Sequence, residues 1–242
     1  MSLNRYPFPM TNSCNIFWII SRILLFFPPS ILLLSCAEKK GEEDSNIEII
    51  NGSEKKHFKI LILGDSLTEG FGIDESDSYP ALLEHKLNTE MHSKTGKNYK
   101  VINGGISGST TSGGVSRIEW FLRSKPDFLI LALGGNDGLR GIPVEKIKEN
   151  LEKVVLAAKK NGIPTLLAGM KIPPNYGLAY SLSFSQLFPT LADTFDIPLI
   201  PFLLEGVGGN PEMNLPDRIH PNARGHKLIC EIVYQALSPI LE

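Results

Sequence analysis

The sequence predicts an α/β protein: a three-layer, doubly wound sandwich around a central parallel sheet of about five strands. Three observations carry this. From Phe58 onward, short apolar runs alternate with amphipathic stretches, the order expected of strands covered by crossover helices. The run "DFLILAL" (127–133) is apolar almost throughout, as a parallel strand must be when helices cover both of its faces. The chain has 242 residues, 42% of them hydrophobic, which is enough for one core of this size.

The elements follow in order. "FKILILG" (58–64) reads as a strand, and "YPALLEHKLNTEMH" (79–92) as a helix with Leu82, Leu83, Leu87 and Met91 at helical spacing. "YKVIN" (99–103) is a second strand, followed by a helix over "GGVSRIEWFLRS" (113–124) and the strand at 127–133. "PVEKIKENLEKVVLAAKKNG" (143–162) is a helix with Pro143 in its first turn and Gly162 at its end. "IPTLLAGM" (163–170), a helix around 182–195 and "IPLIPF" (197–202) repeat the pattern, and Pro221 opens a last helix to about Leu237. No repeat or internal boundary divides 57–242, which reads as one domain.

The amino terminus differs. Ile16 to Leu34, "IFWIISRILLFFPPSILLL", is long and apolar enough to suggest a membrane span, but Arg22 and Pro28-Pro29 interrupt it. A signal peptide over 1–36 fits better: Arg5 lies upstream, an apolar core follows, and Leu33-Leu34-Ser35-Cys36 resembles a bacterial lipobox. Cys36 would then be lipidated and tether the protein to a membrane of the bacterial cell envelope. Residues 37–56, "AEKKGEEDSNIEIINGSEKK", are too polar to fold alone and read as a solvated linker. Cys14 would leave with the leader, and Cys230 in "KLICEIVYQAL" reads as a small core residue, so no disulfide framework follows. The net charge is −2 with no basic block in the body, which argues against a nucleic-acid partner.

Ligands of open parallel sheets bind beyond the carboxyl ends of the strands. Four such places are rich in Gly, Asn, Asp or Ser: Gly64-Asp65-Ser66-Leu67, "NGGISGSTTSGG" (103–114), "GGNDGLRG" (134–141) and "LPDRIHPN" (215–222). Each alone is compatible with an ordinary turn. The second lacks the G-K-[ST] ending of a P-loop and the spacing of a dinucleotide fingerprint, so no phosphate cradle is expected. There is no Cys/His cluster and no H-E-x-x-H, so neither a metal nor a cofactor is implied.

Taken together and in this order, the four segments resemble the four blocks of the SGNH hydrolase (GDSL esterase/lipase) superfamily. "LILGDSL", "N-x-x-ISG", "LGGNDGLRG", "PxNYG" and "IHPN" are similar to its bacterial multifunctional thioesterase/protease/lysophospholipase branch, over roughly 58–240. The resemblance implies a flavodoxin-like layer order, acyl transfer through a serine, and no cofactor. It makes Ser66 the nucleophile, at a strand's carboxyl end but outside a G-x-S-x-G elbow. His220 becomes the base: His57 lies at the linker, His85 and His92 sit on a helix, His226 reads as solvated, and of the histidines beyond the linker only His220 sits in a loop with an acid three residues before it. That acid, Asp217, would orient the imidazole. The backbone N–H groups of Ser66 and Gly108 and the side-chain amide of Asn136 would donate to the oxyanion. Asp65 and Asp137 are expected to brace their loops.

In the resembling branch the segment after "GGND" moves on substrate binding, here Gly138 to Pro143, with 171–177 lining the acyl side. Leu139, Ile142, Ile172, Pro173 and Tyr176 would form an apolar wall. The implied substrates are acyl esters, thioesters or lysophospholipids. Carbohydrate O-acetyl ester cleavage is the alternative within the superfamily. A silent, lipid-tethered binding protein would require a missing catalytic residue, and none is missing.

Overall fold

The computed structural model describes residues 57–242. The leader expected over 1–36, its Cys36 and the linker expected over 37–56 lie outside the described residues. Five strands form one all-parallel sheet: β1 (His57–Gly64), β2 (Asn98–Gly105), β3 (Phe128–Ala132), β4 (Thr165–Ala168) and β5 (Leu199–Ile200). Their order is β2-β1-β3-β4-β5. The chain steps out from β1 to β2 and then crosses back to β3 on the other side, so the strand order reverses around β1. In open α/β sheets that reversal opens the crevice where ligands bind.

The helices are α1 (Ser66–Glu69), α2 (Tyr79–Glu90), α3 (His92–Thr95), α4 (Thr111–Leu122), α5 (Gly135–Leu139), α6 (Val144–Lys160), α7 (Leu178–Phe195) and α8 (Ala223–Leu241). One layer pairs α2 with α8; the other packs α4 on α6 and α6 on α7. Between them, Ile60 to Leu63 of β1 and Leu129 to Ala132 of β3 are wholly buried, as their unbroken apolar runs require.

Several boundaries shift from the expected ones for local reasons. The last helix starts at Ala223, not Pro221, because the Asn222 side chain accepts from the N–H groups of Arg224 (3.0 Å) and Gly225 (3.1 Å) and caps it. α6 ends where Gly162 N–H reaches Lys159 O and Ile163 N–H reaches Ala158 O, both at 3.0 Å, with Gly162 in the left-handed region. α7 begins at Leu178, four residues ahead of the stretch the sequence marks.

His226 is a correction. Expected in solvent, it is 1% exposed; its ring stacks near Tyr79, and its Nδ1 accepts the Tyr79 N–H at 3.1 Å. Burial holds the imidazole down to about 4, so it is neutral at physiological pH. The reason is helical phase: His226, Cys230, Val233 and Leu237 form one buried stripe of α8. Cys230 is buried in that stripe, as expected, and burial pushes its thiol up to about 11.

Strand β2 is an edge of the sheet, where free N–H and C=O groups invite pairing with another chain. Here α2 closes it. Asn88 accepts from Tyr99 N–H and donates to Tyr99 O, both at 2.9 Å, while Glu84 accepts from Val101 N–H at 2.7 Å. These side chains, one helical turn apart, stand in for a sixth strand. Asn88→Ala strands both Tyr99 groups and is expected to cost about 1–3 kcal/mol in urea denaturation, with faster aggregation on mild heating.

Strand register fixes what lies above the sheet. Gly64 is level with Gly105 of β2 and with Ala132 of β3. α1 descends so closely on these ends that a Cβ at Gly64 would lie 1.9 Å from Thr68 Oγ1, and one at Gly105 would lie 2.1 Å from Glu69 N. Only glycine fits either place.

Candidate active site

Ser66 opens α1 directly beyond β1 and is 8% exposed. Asp65 precedes it as the helix cap, its Oδ1 accepting from Leu67 N–H at 3.0 Å. The bracing role expected of Asp65 is thus what its geometry provides. Its other oxygen accepts from Asn136 Nδ2 at 3.3 Å. Burial raises the Asp65 carboxyl to about 6, with the Leu67 and Asn136 hydrogen bonds and the nearby His220 acting in the opposite direction.

His220 arrives from a loop 154 residues away, with Nε2 3.0 Å from Ser66 Oγ. Its Nδ1 is 2.7 Å from Asp217 Oδ2. The other Asp217 oxygen accepts from the N–H groups of Ile219 (2.9 Å) and His220 (3.0 Å), and these bonds hold its carboxyl down to about 2. An ionised Asp217 takes the Nδ1–H, which leaves Nε2 as an acceptor facing the serine. Hydroxyl, imidazole and carboxylate therefore form one hydrogen-bonded chain. The loop is pinned on both sides: Leu215 N–H donates to His220 O at 2.7 Å, Asn214 bridges Pro221, and Arg218 takes a left-handed φ of 61°. Phe71, 47% exposed, lies over the imidazole with ring centroids 4.4 Å apart.

Gly108 sits in the left-handed region, φ 73°, at the bend after β2. Its carbonyl accepts from Arg140 Nη2 at 3.1 Å. Neither the Ser66 N–H nor the Gly108 N–H donates to a protein acceptor among the described residues. Asn136, in α5 beyond β3, donates to Ser109 O at 3.1 Å as well as to Asp65. Asp137 is 1% exposed and accepts from Thr111 N–H (2.9 Å) and Thr111 Oγ1 (2.6 Å), which fastens α5 to the start of α4. Among the described residues no group of three His, Cys, Asp or Glu is placed to hold a metal ion.

The expected apolar wall is brought together only in part. Gly138 packs directly against Ile172, so the segments 138–142 and 171–177 touch. Ile142 and Ile172 are half-buried against the core, while Leu139, Pro173 and Tyr176 are exposed. Three contributors escape a reading of the sequence. Phe71 follows no motif, Arg140 reads as an ordinary surface cation, and Arg117 sits in a helix. Arg117 nevertheless reaches Gly64 O, Gly104 O and Ser109 Oγ beneath the site.

Residues 62–228 match the GDSL-like Lipase/Acylhydrolase family. The chain is 38% identical over 183 residues to the esterase TesA of Pseudomonas aeruginosa, covering 75% of this chain and 89% of that protein. It is 37% identical over 183 residues to thioesterase 1/protease 1/lysophospholipase L1 of Escherichia coli K12, covering 75% and 84% respectively. The crystal structure of the psychrotrophic esterase EstA from Pseudoalteromonas, inhibited by monoethylphosphonate, superposes with a TM-score of 0.71 at 32% identity, covering 76% and 98%.

The Asp65 carboxyl makes stability depend on pH. Its pKa is 3.8 ordinarily and about 6 in the fold, so between these values the folded chain holds more protons than the unfolded one. Wild-type stability therefore falls by up to about 3 kcal/mol as pH rises through that window. Asp65→Asn lacks this slope. Relative to wild type it is expected to gain about that amount between roughly pH 4 and pH 6.5, on top of any fixed cost of the lost bonds. Urea titrations at the two pH values measure the difference, and a constant offset would contradict the assignment.

Proposed function

Because the chain belongs to the GDSL-like lipase/acylhydrolase family and is a carboxylic ester hydrolase, we propose that Ser66, His220 and Asp217 are its catalytic triad. The observation that carries this reading is the chain Ser66 Oγ, His220 Nε2, His220 Nδ1, Asp217 Oδ2, with links of 3.0 and 2.7 Å. As Ser66 Oγ attacks the acyl carbonyl, His220 Nε2 takes its proton and later delivers it to the leaving alcohol or thiol. Water then repeats the sequence on the acyl-serine and frees the acid. Asp217, ionised throughout, holds the imidazole tautomer and offsets the imidazolium charge.

The oxyanion of each tetrahedral intermediate is received by the unspent N–H groups of Ser66 and Gly108 and by Asn136 Nδ2. Of the two bonds Asn136 now makes, that to Asp65 is the longer and gives way more easily to an oxyanion. Leu139, Pro173 and Tyr176, exposed at the end of α5 and before α7, would meet the acyl chain. The names of the relatives support acyl esters, thioesters and lysophospholipids as substrates. Lipid on Cys36 would hold the domain at a bacterial membrane, where such substrates are found.

Three measurements test this reading. Asn136→Ala is expected to lower kcat on the order of hundreds-fold, with the protein still folded by circular dichroism; a loss below about tenfold removes Asn136 from the oxyanion site. A series of acyl esters and thioesters of increasing chain length is expected to show activity beyond acetyl, whereas activity confined to acetyl would favour carbohydrate O-acetyl esters. Mass spectrometry of membrane-extracted protein is expected to find Cys36 as a lipidated first residue, and an intact Met1 would refute the anchor.

A further inference from the structure

Arg117 reaches beneath Ser66 from α4, and it joins pieces of chain that are remote in sequence. Nη2 donates to Gly64 O at 2.5 Å and to Gly104 O at 3.2 Å, while Nη1 donates to Ser109 Oγ. These partners lie on the chain segments that lead to two of the oxyanion donors, Ser66 and Gly108. Gly64 lies two residues before Ser66. Ser109 follows Gly108 directly, and its carbonyl accepts one of the two Asn136 amide hydrogens. The other Asn136 hydrogen goes to Asp65, the buried acid whose charge also acts on Arg117.

A planar guanidinium with its fixed fork of donors can hold several acceptors at set distances, which an ammonium on a flexible stem cannot. We propose that Arg117 is a positioning residue for the reaction, fixing the mutual spacing of the Ser66, Gly108 and Asn136 donors without touching the substrate. The inference rests on the serine-esterase reading above. It concerns the transition state and the tetrahedral intermediate, because the bound ester carries no oxyanion, and displacement of such donors by a fraction of an ångström weakens charge stabilisation with little effect on ground-state binding.

Arg117→Ala and Arg117→Lys are therefore expected to lower kcat about 30- to 100-fold while KM changes less than about threefold. A boronic-acid transition-state analogue should lose affinity in proportion. Guanidinium ion at low, non-denaturing concentration should recover part of kcat in Arg117→Ala and none in Asn136→Ala. Ser109→Ala, which severs the Nη1 contact and otherwise only a long 3.4 Å bond to Thr110 O, should lower kcat several-fold with its melting temperature preserved, and it decides the matter should the Arg117 variants fail to fold.

Folded Arg117 variants, or Ser109→Ala, with kcat within twofold of wild type would overturn the proposal. So would a loss of kcat that tracks the loss of melting temperature and is not restored by guanidinium. Hydrolysis of a short-chain p-nitrophenyl ester by the wild type is measured first. An inactive wild type would count against the serine-esterase reading itself, whereas an active wild type with unaffected variants counts against Arg117 alone.

Discussion

The level ending of three parallel strands is the constraint on which the site depends. Gly105, Gly64 and Ala132 stand side by side across β2, β1 and β3. Because parallel strands all release their chains at the same edge, Ser66, Gly108 and Asn136 emerge there two, three and four residues beyond that line. A one-residue slip of β2 against β1 would send every β2 side chain to the opposite face. The buried Tyr99 and Val101 would then be traded for the exposed Lys100, a far larger loss than any single contact in the site could offset. The apolar core thus sets the spacing of the polar residues above it. The closeness of α1 to Gly64 and Gly105 adds that no side chain can separate the helix opened by Ser66 from the strand ends.

Three aspartates in the site show how environment divides one residue type into different tasks. Asp65 and Asp137 are buried and each accepts a backbone N–H at the first turn of a helix, Leu67 in α1 and Thr111 in α4. Such bonds favour the ionised form, but in both cases burial is the larger effect and raises the carboxyl. These two acids act through geometry, as braces between loops. Asp217 is 38% exposed and accepts three hydrogen bonds, two from backbone N–H groups and one from the imidazole. With little desolvation to oppose them, those bonds keep it charged far below neutrality.

Most of the layer order was legible in the sequence because it rests on period and composition. The unbroken runs at 58–64 and 127–133 could bury only in strands covered on both faces, and the residues just after them could only lie at the site edge. His226 shows the cost of judging a residue by type alone: the stripe that buries Cys230, Val233 and Leu237 already includes position 226 at i, i+4, i+7 and i+11. Other features had no local signal. Asn88 and Glu84 look like ordinary polar positions on a helix, and their pairing with Tyr99 and Val101 depends on which strand forms the edge. Arg117 likewise reads as a solvated helix residue until α4 is laid against the ends of β1 and β2. Side chains that act across elements become visible only once the topology is known.

The Ser66 side of the site is built from the sheet, whereas His220 comes from a loop with no strand beneath it, and the two halves are stabilised differently. Within a span of four residues two hydrogen bonds join Asp217 to His220 and a third ties it to Ile219 N–H, so their relative geometry is local and survives small movements of the loop. What must be imposed from outside is the distance from His220 to Ser66. The antiparallel bridge between Asn214 and Pro221, and the Asn222 cap that starts α8, fix both ends of the loop to the body of the domain. Between them Arg218 occupies a left-handed conformation that costs a side chain roughly 1 kcal/mol. The bonds of Leu215, Ile219 and His220 around it outweigh that cost. A non-glycine residue persists in that conformation only where its surroundings over-determine it, and here they do so on the loop that brings the imidazole to the serine.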